Sequence, residues 1–186
     1  MVPDEPTAEE VPEDEAATES VAGAPQRDLP AEPALAAIVE PYLSTSWVVA
    51  DDEWVVSVDA TDYRGLVAAA KDGGFSMFID LCGVDYFRRD PRFEVMLTLL
   101  DTATPKRLRV RAGVAGDEPE IATVSDLFPG ANFYEREAYD LLGIDFVGHP
   151  DLTRILLPDE WEGHPLRKDY DVGSVPIQFK ESHKVQ

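Results

Sequence analysis

Between residues 34 and 114 the apolar side chains alternate between a helical and a strand period, in the order helix, two strands, helix, three strands. This order constrains the fold more than any other feature, because it departs from the strict strand–helix alternation of a doubly wound sheet. Leu35, Ile38, Val39 and Tyr42 are spaced for one face of a short helix over residues 34–43. Two β-rich runs, 47–50 and 54–58, flank Asp51-Asp52-Glu53 and read as a hairpin. A second helix is expected through Lys71, with Thr61 or Asp62 as its cap and Gly73-Gly74 as its stop. Strands are then expected over 75–84, 93–100 and 108–114, the first two joined by a turn at Arg88-Arg89-Asp90-Pro91. Short links of this kind suit an antiparallel meander. The expected class is therefore α+β: a mostly antiparallel sheet with flanking helices, followed by an extended, irregular C-terminal arm.

Beyond Gly116 the texture changes. A third helix is expected over 133–142, capped by Asn132 with Glu135 reaching back as in a capping box, and stopped by Gly143. Arg136 and Asp140 stand four apart on it and are expected to pair, while Glu135, Tyr139 and Leu142 share a stripe. The remaining stretch is rich in proline and glycine and should run extended over the body. It also carries Ile144, Phe146, Ile155, Leu156, Leu157, Trp161 and Leu166, more apolar surface than a solvated linker needs. The division follows: 1–33 an acidic disordered tail, 34–142 the α+β core, and 143–186 an arm that docks on partner proteins.

Charge narrows the partners. Residues 1–33 hold ten acids, six prolines, one base (Arg27) and no aromatic side chain, too little apolar surface to order a backbone. The remaining 27 acids still outnumber 15 bases, so phosphate backbones and anionic lipid are unfavoured partners. No apolar run reaches the ~20 residues of a membrane span. The N-terminus lacks the basic-then-apolar pattern of a secretory signal and is the acid-rich reverse of a transit peptide.

Candidate chemistry is sparse. Cys82 is the single cysteine, so an internal disulfide and a cysteine-ligated cluster are both excluded for this chain alone. Its apolar run suggests a buried small side chain. His149 and His164, each followed by proline (Pro150, Pro165), lie fifteen residues apart without the paired spacing of a structural zinc site. Glu135 and Glu137 flank Arg136, and because each helical step turns by about 100° the two carboxylates, two steps apart, diverge too far to act on one substrate. Arg167-Lys168-Asp169 suits either a solvated turn or ion pairs on a docking arm. No nucleotide loop or nucleophile elbow is present. The expectation is no catalytic, cofactor-binding or metal-binding residue on the chain; a stand-alone hydrolase using His149 or His164 with a nearby aspartate is the rival from another class.

The run Glu135-Arg136-Glu137, Asp140-Leu141-Leu142-Gly143-Ile144 and Gly148-His149-Pro150-Asp151-Leu152 resembles the signature of the C subunit of NADH-quinone oxidoreductases, respiratory complex I. The continuation Arg154-Ile155-Leu156 through Gly163-His164-Pro165-Leu166-Arg167-Lys168-Asp169-Tyr170 resembles the same family. Thr153 stands where the family usually has a basic residue or proline, and Asp171 where it has proline. The resemblance implies a non-catalytic α+β subunit of the peripheral arm, beside the quinone-module subunits, one of which carries the terminal iron–sulfur cluster. NAD, FMN, iron–sulfur clusters and quinone would all sit on partners. The implied place is the cytoplasmic face of a prokaryotic cell membrane, peripherally bound, in a proton-translocating electron-transport complex. The equivalent subunit of a ferredoxin-, coenzyme- or hydrogen-linked membrane complex is the alternative within the superfamily.

Overall fold

A computed structural model describes residues 33–42, 46–50, 53–104 and 106–171. Residues 1–32 of the expected acidic tail lie outside them. The elements are α1 (Pro33–Val39), β1 (Ser46–Ala50), β2 (Glu53–Asp59), α2 (Ala60–Asp72), β3 (Met77–Asp85), β4 (Phe93–Asp101), β5 (Lys106–Val114), β6 (Glu120–Ala122), α3 (Ala131–Leu142) and β7 (Asp145–Val147). Five strands form one sheet in the order β1-β2-β5-β4-β3. β1–β2, β4–β5 and β3–β4 are antiparallel, as the hairpin and meander predict. β2 and β5 run parallel, a pairing with no local signature. A small parallel pair, β6–β7, stands apart. The fold is α+β.

One sheet face forms the core. Phe93, Val95, Leu97 and Leu99 of β4 are buried, as are Leu108, Val110, Ala112 and Val114 of β5, while the residues between them are half-buried or exposed. This two-residue alternation marks a sheet covered on one side. The cover is helical: Tyr63, Leu66, Val67 and Ala70 give α2 one apolar stripe, and Leu35, Ile38 and Val39 of α1 and Ala131, Ala138 and Leu142 of α3 join the same cluster. Contact between α3 and β3 is close at Gly83, where an added Cβ would lie 2.6 Å from Leu142 and 3.0 Å from Ile144.

Three local expectations fail for identifiable reasons. α2 starts at Ala60 directly after extended Asp59, with no side-chain cap, so neither Thr61 nor Asp62 plays that part. Strand β2 runs straight into the helix and leaves no loop in which a cap could turn. α3 starts at Ala131 after Gly130, also without a side-chain cap; Asn132 is inside the helix and Glu135 turns away from the helix start. Cys82 is exposed, because the alternation that buries Leu81 and Asp85 turns Cys82 to the uncovered side. Gly143 does end α3, at φ 73° in the left-handed region.

Candidate functional site

The signature residues gather around α3 and the chain that follows it. Glu135 and Asp140 are fully buried, on different sides of the helix. Glu135 accepts the Val124 amide at 2.8 Å and the Thr123 hydroxyl, and Thr123 also bonds Ser125. The 123–126 loop is itself tied to α2: Arg64 forks onto Asp126 at 2.6 and 2.7 Å and donates to the Thr123 carbonyl. The imidazole of His149 comes within 3.9 Å of Glu135. Burial pushes the Glu135 carboxyl above the usual carboxylate range, against the opposing pull of the Thr123 and Val124 bonds.

Asp140 is the second centre. One of its oxygens accepts the consecutive amides of Ile155, Leu156 and Leu157 at 3.0, 2.8 and 2.9 Å. The other takes Arg154 at 2.6 Å. Burial alone would raise this carboxyl, but the amides and the Arg154 guanidinium outweigh it and hold it low. Arg136 does not pair with Asp140. It donates instead to the carbonyls of Thr153 and Arg154 and to the Thr153 hydroxyl. The incoming chain offers a ladder of donors on Asp140's side of the helix and carbonyls on Arg136's side, so each finds its partner there instead of the other. Thr153, a departure from the family pattern, thereby gains a use.

The histidines bond helix carbonyls. His149 Nε2 donates to Asn132 at 3.3 Å while Nδ1 accepts the Asp151 amide at 3.1 Å. His164 Nδ1 donates to the Asp140 carbonyl at 2.9 Å. Those two carbonyls are about 12 Å apart along α3 at ~1.5 Å per residue, so the rings do not converge. His164 also lies against the end of the helix, where a Cβ at Gly143 would meet its ring at 2.6 Å.

A third centre joins the far end of the arm to the sheet. Asp85, at the end of β3, takes a two-pronged bond from Arg92 at 2.9 and 2.7 Å, the Phe87 amide, and the Lys168 amide at 2.8 Å. Arg92 also forks onto Asp169 at 3.0 and 2.7 Å. Its guanidinium draws the Asp85 carboxyl down to about 2. Arg167 stacks over Phe93 and contacts Asp169. The knot 167–169 is therefore a set of ion pairs, but within the chain. No sequence motif singles out Asp85 and Arg92; the β3–β4 hairpin could have placed them side by side, but nothing local points across 77 residues to Asp169. Glu137, between half-buried Arg136 and buried Ala138, is exposed, as are Pro150 and Gly163; Pro165 is half-buried. Among the described residues no group of three or more metal-ligating side chains converges.

The family model described as respiratory-chain NADH dehydrogenase, 30 Kd subunit, matches residues 56–175. The chain belongs to this family. It is 50% identical over 100 residues to the NADH-quinone oxidoreductase C subunit of Roseiflexus castenholzii, covering 54% of this chain and 58% of that one. The C subunit from Chelativorans sp. is 42% identical over 142 residues, covering 74% and 70%. The match spans 58 to 63% of the length of the relatives from two Roseiflexus strains and Herpetosiphon aurantiacus. A solved structure of Nqo5, a trypsin-resistant fragment (1-134), superposes with TM-score 0.54 at 34% identity over 62% of this chain and 93% of that one. A chain of an archaeal membrane-bound sulfane sulfur reductase shares the fold with TM-score 0.65 at 22% identity, over 80% and 94%.

In this member of the 30 Kd family the signature side chains lock the arm to the body. Glu135, fully buried like Asp140, ties α3 to the Thr123–Val124 loop instead, and its replacement with glutamine tests that tie. Glutamine keeps an oxygen for Val124 and a group for Thr123 but carries no charge. An acid whose folded value is raised gives most stability below its ordinary value and loses it as pH rises toward the folded one. Thermal melts should therefore show E135Q equal to or above the parent at pH 7, with the parent gaining on it toward pH 4. A parent advantage that grows with pH would contradict the raised value.

Proposed function

We propose that the chain is a non-catalytic scaffold of the peripheral arm of an NADH-quinone oxidoreductase, supporting electron transfer from NADH to quinone coupled to proton translocation. NAD, FMN, iron–sulfur clusters and quinone belong, on this reading, to neighbouring subunits. Those neighbours are the quinone-module subunits, including the one with the terminal cluster, at the cytoplasmic face of the membrane. No helix among the described residues is long and apolar enough to cross a membrane.

One observation supports the reading beyond family membership. Asp140, Asp85, Arg92, Arg136, Arg154 and His164 spend their polar atoms fastening residues 149–171 to the body. The arm so held presents Ile155, Leu156 and Leu166 at 37, 61 and 58% exposure. Large apolar side chains on a backbone fixed by buried bonds have already lost their chain entropy, which favours docking on a protein partner. Affinity purification of the tagged chain from its own cells, with identification of the co-purifying chains, is the test. Cluster-bearing and membrane subunits should appear, and L156D should deplete them while leaving the free chain folded. Stoichiometric flavin or iron on the chain purified alone, or turnover without partners, would overturn the scaffold reading.

A further inference from the structure

We propose that the tip of the β3–β4 hairpin is a preformed anchor: it seats Phe87 in an apolar pocket of a partner protein whose rim carboxylates meet Arg88 and Arg89. Phe87 is the one non-glycine among the described residues with a positive φ, 57°. A bulky side chain is strained there. Across it the Arg88 amide donates to the Tyr86 carbonyl at 2.5 Å, the bond of the rarer, strained form of γ-turn. The turn is held from both sides: Asp85 accepts the Phe87 amide at 2.7 Å, and the Tyr86 amide donates to the Arg92 carbonyl at 2.9 Å. This strain gains the core little, since Phe87 is 46% exposed. Nor is its ring needed to cover Arg92, whose guanidinium lies 5.4 Å from it but 4.8 Å from the ring of buried Phe93. An exposed aromatic ring on a backbone already fixed in an unfavourable conformation suits binding, because docking orders little more.

Charge points to the occupant. Arg88 and Arg89 are exposed and form no ion pair among the described residues, although Asp90 follows them. Arg89 instead stacks over Tyr86 at 4.0 Å. Beyond residue 33 acids outnumber bases 27 to 15, so two unpaired arginines side by side are a local exception, which a partner's carboxylates would complement. Aromatic side chains and arginine are also the groups enriched at the energetic centres of protein interfaces. An anionic lipid surface fits less well, because two cations attract it weakly and the surrounding acids repel it. Asp85 accepts both the Phe87 amide of the tip and the Lys168 amide of the arm, so tip and arm are presented as one piece. The inference rests on the scaffold reading and adds to it a second contact of stated chemistry.

The tagged full chain is produced in its own cells with a photo-cross-linking phenylalanine analogue at position 87, irradiated, and the adduct is mapped by mass. The expected adduct is a peptide of a co-purifying protein with aspartate or glutamate close to the linked position. An adduct with another part of the same chain, with lipid, or with nothing overturns the proposal. Two variants give a second readout. Phe87→Gly, which relieves the strained φ, should melt within about 2 °C of the parent when isolated. In cells it should nevertheless recover at least about fivefold less of the cross-linked partner. The double reversal Arg88→Glu with Arg89→Glu should behave in the same way. If redox subunits co-purify equally with the parent and both variants, the scaffold reading stands and this inference alone falls; a parent that recovers no partner sinks both.

Discussion

Replacing Asp140 with alanine is expected to lower the unfolding temperature of the isolated chain by roughly 10 °C. The carboxylate is fully buried and accepts three consecutive amides and the Arg154 guanidinium. Alanine leaves the three amides without an acceptor and half-buried Arg154 without its anion, with only the backbone carbonyls of residue 140 and Gly163 to accept from it. Removing one partner of a buried, hydrogen-bonded charge costs about 3–5 kcal/mol. At roughly 2–4 °C per kcal/mol for a domain of this size, that gives a fall of the stated order. Asparagine separates two contributions. It keeps an oxygen for the amides but turns an NH₂ group toward Arg154, so Asp140→Asn should fall between parent and alanine. Limited trypsin digestion supplies the local readout: in Asp140→Ala the bonds after Arg154, Arg167 and Lys168 should open well before the β4–β5 core. A melt unchanged within about 2 °C, less than a single kcal/mol would produce, would show that the amide ladder contributes little.

The second large effect is expected at Arg92. Its guanidinium is shared by Asp85, whose side chain is 1% exposed, and Asp169, which is 43% exposed. Arg92→Ala removes the cation from a nearly dry carboxylate and releases Asp169, leaving the end of the arm tied to Asp85 through the Lys168 amide alone. The Asp85 part falls in the buried-pair range, toward its lower end of about 3 kcal/mol because Arg92 retains some solvent contact; the Asp169 part is surface-like and adds less than about 1 kcal/mol. The pH dependence carries a sign. Asp85 in the parent is lowered from 3.8 to about 2, so its contribution is complete above the ordinary value and is lost as pH falls through about 2. The parent's advantage over Arg92→Ala should therefore be steady from pH 7 to about 5 and shrink between about 4 and 2. Thermal melts across that range check it. A constant gap down to pH 2 would mean that Arg92 acts through packing over Phe87 and Phe93 rather than through Asp85.

Residues that act on their neighbours in sequence were readable. The period of Leu35-Ile38-Val39, the Gly73-Gly74 stop after Lys71 and the β-rich runs 93–100 and 108–114 placed helices and strands within a few residues, because such signals act within their own element. Gly143 was legible as a stop for an equally local reason: its positive φ excludes a side chain. The motif 135–169 was legible as a family signature before any of its contacts were visible.

Tertiary structure decided what each of those residues does. The helical spacing of Arg136 and Asp140 permits a pair, yet the helix gives them different neighbours, and the extended chain after Pro150 offers three amides and Arg154 to one and carbonyls to the other. Glu135 suited a capping box by spacing alone but is turned into the body by Thr123 and Val124, on a loop that α2 holds in place. The parallel β2–β5 pairing and the meeting of Asp85 with Lys168 join residues dozens of positions apart. Sequence by itself determined the three helices, the five strands of the main sheet, the α+β class and the family, since these rest on periodicity and motif; the short β6–β7 pair, which joins distant segments, was not among them. Which charges are buried, which pair and which stay in water was decided only by folding, because desolvation and hydrogen bonding depend on atoms that distant segments bring together.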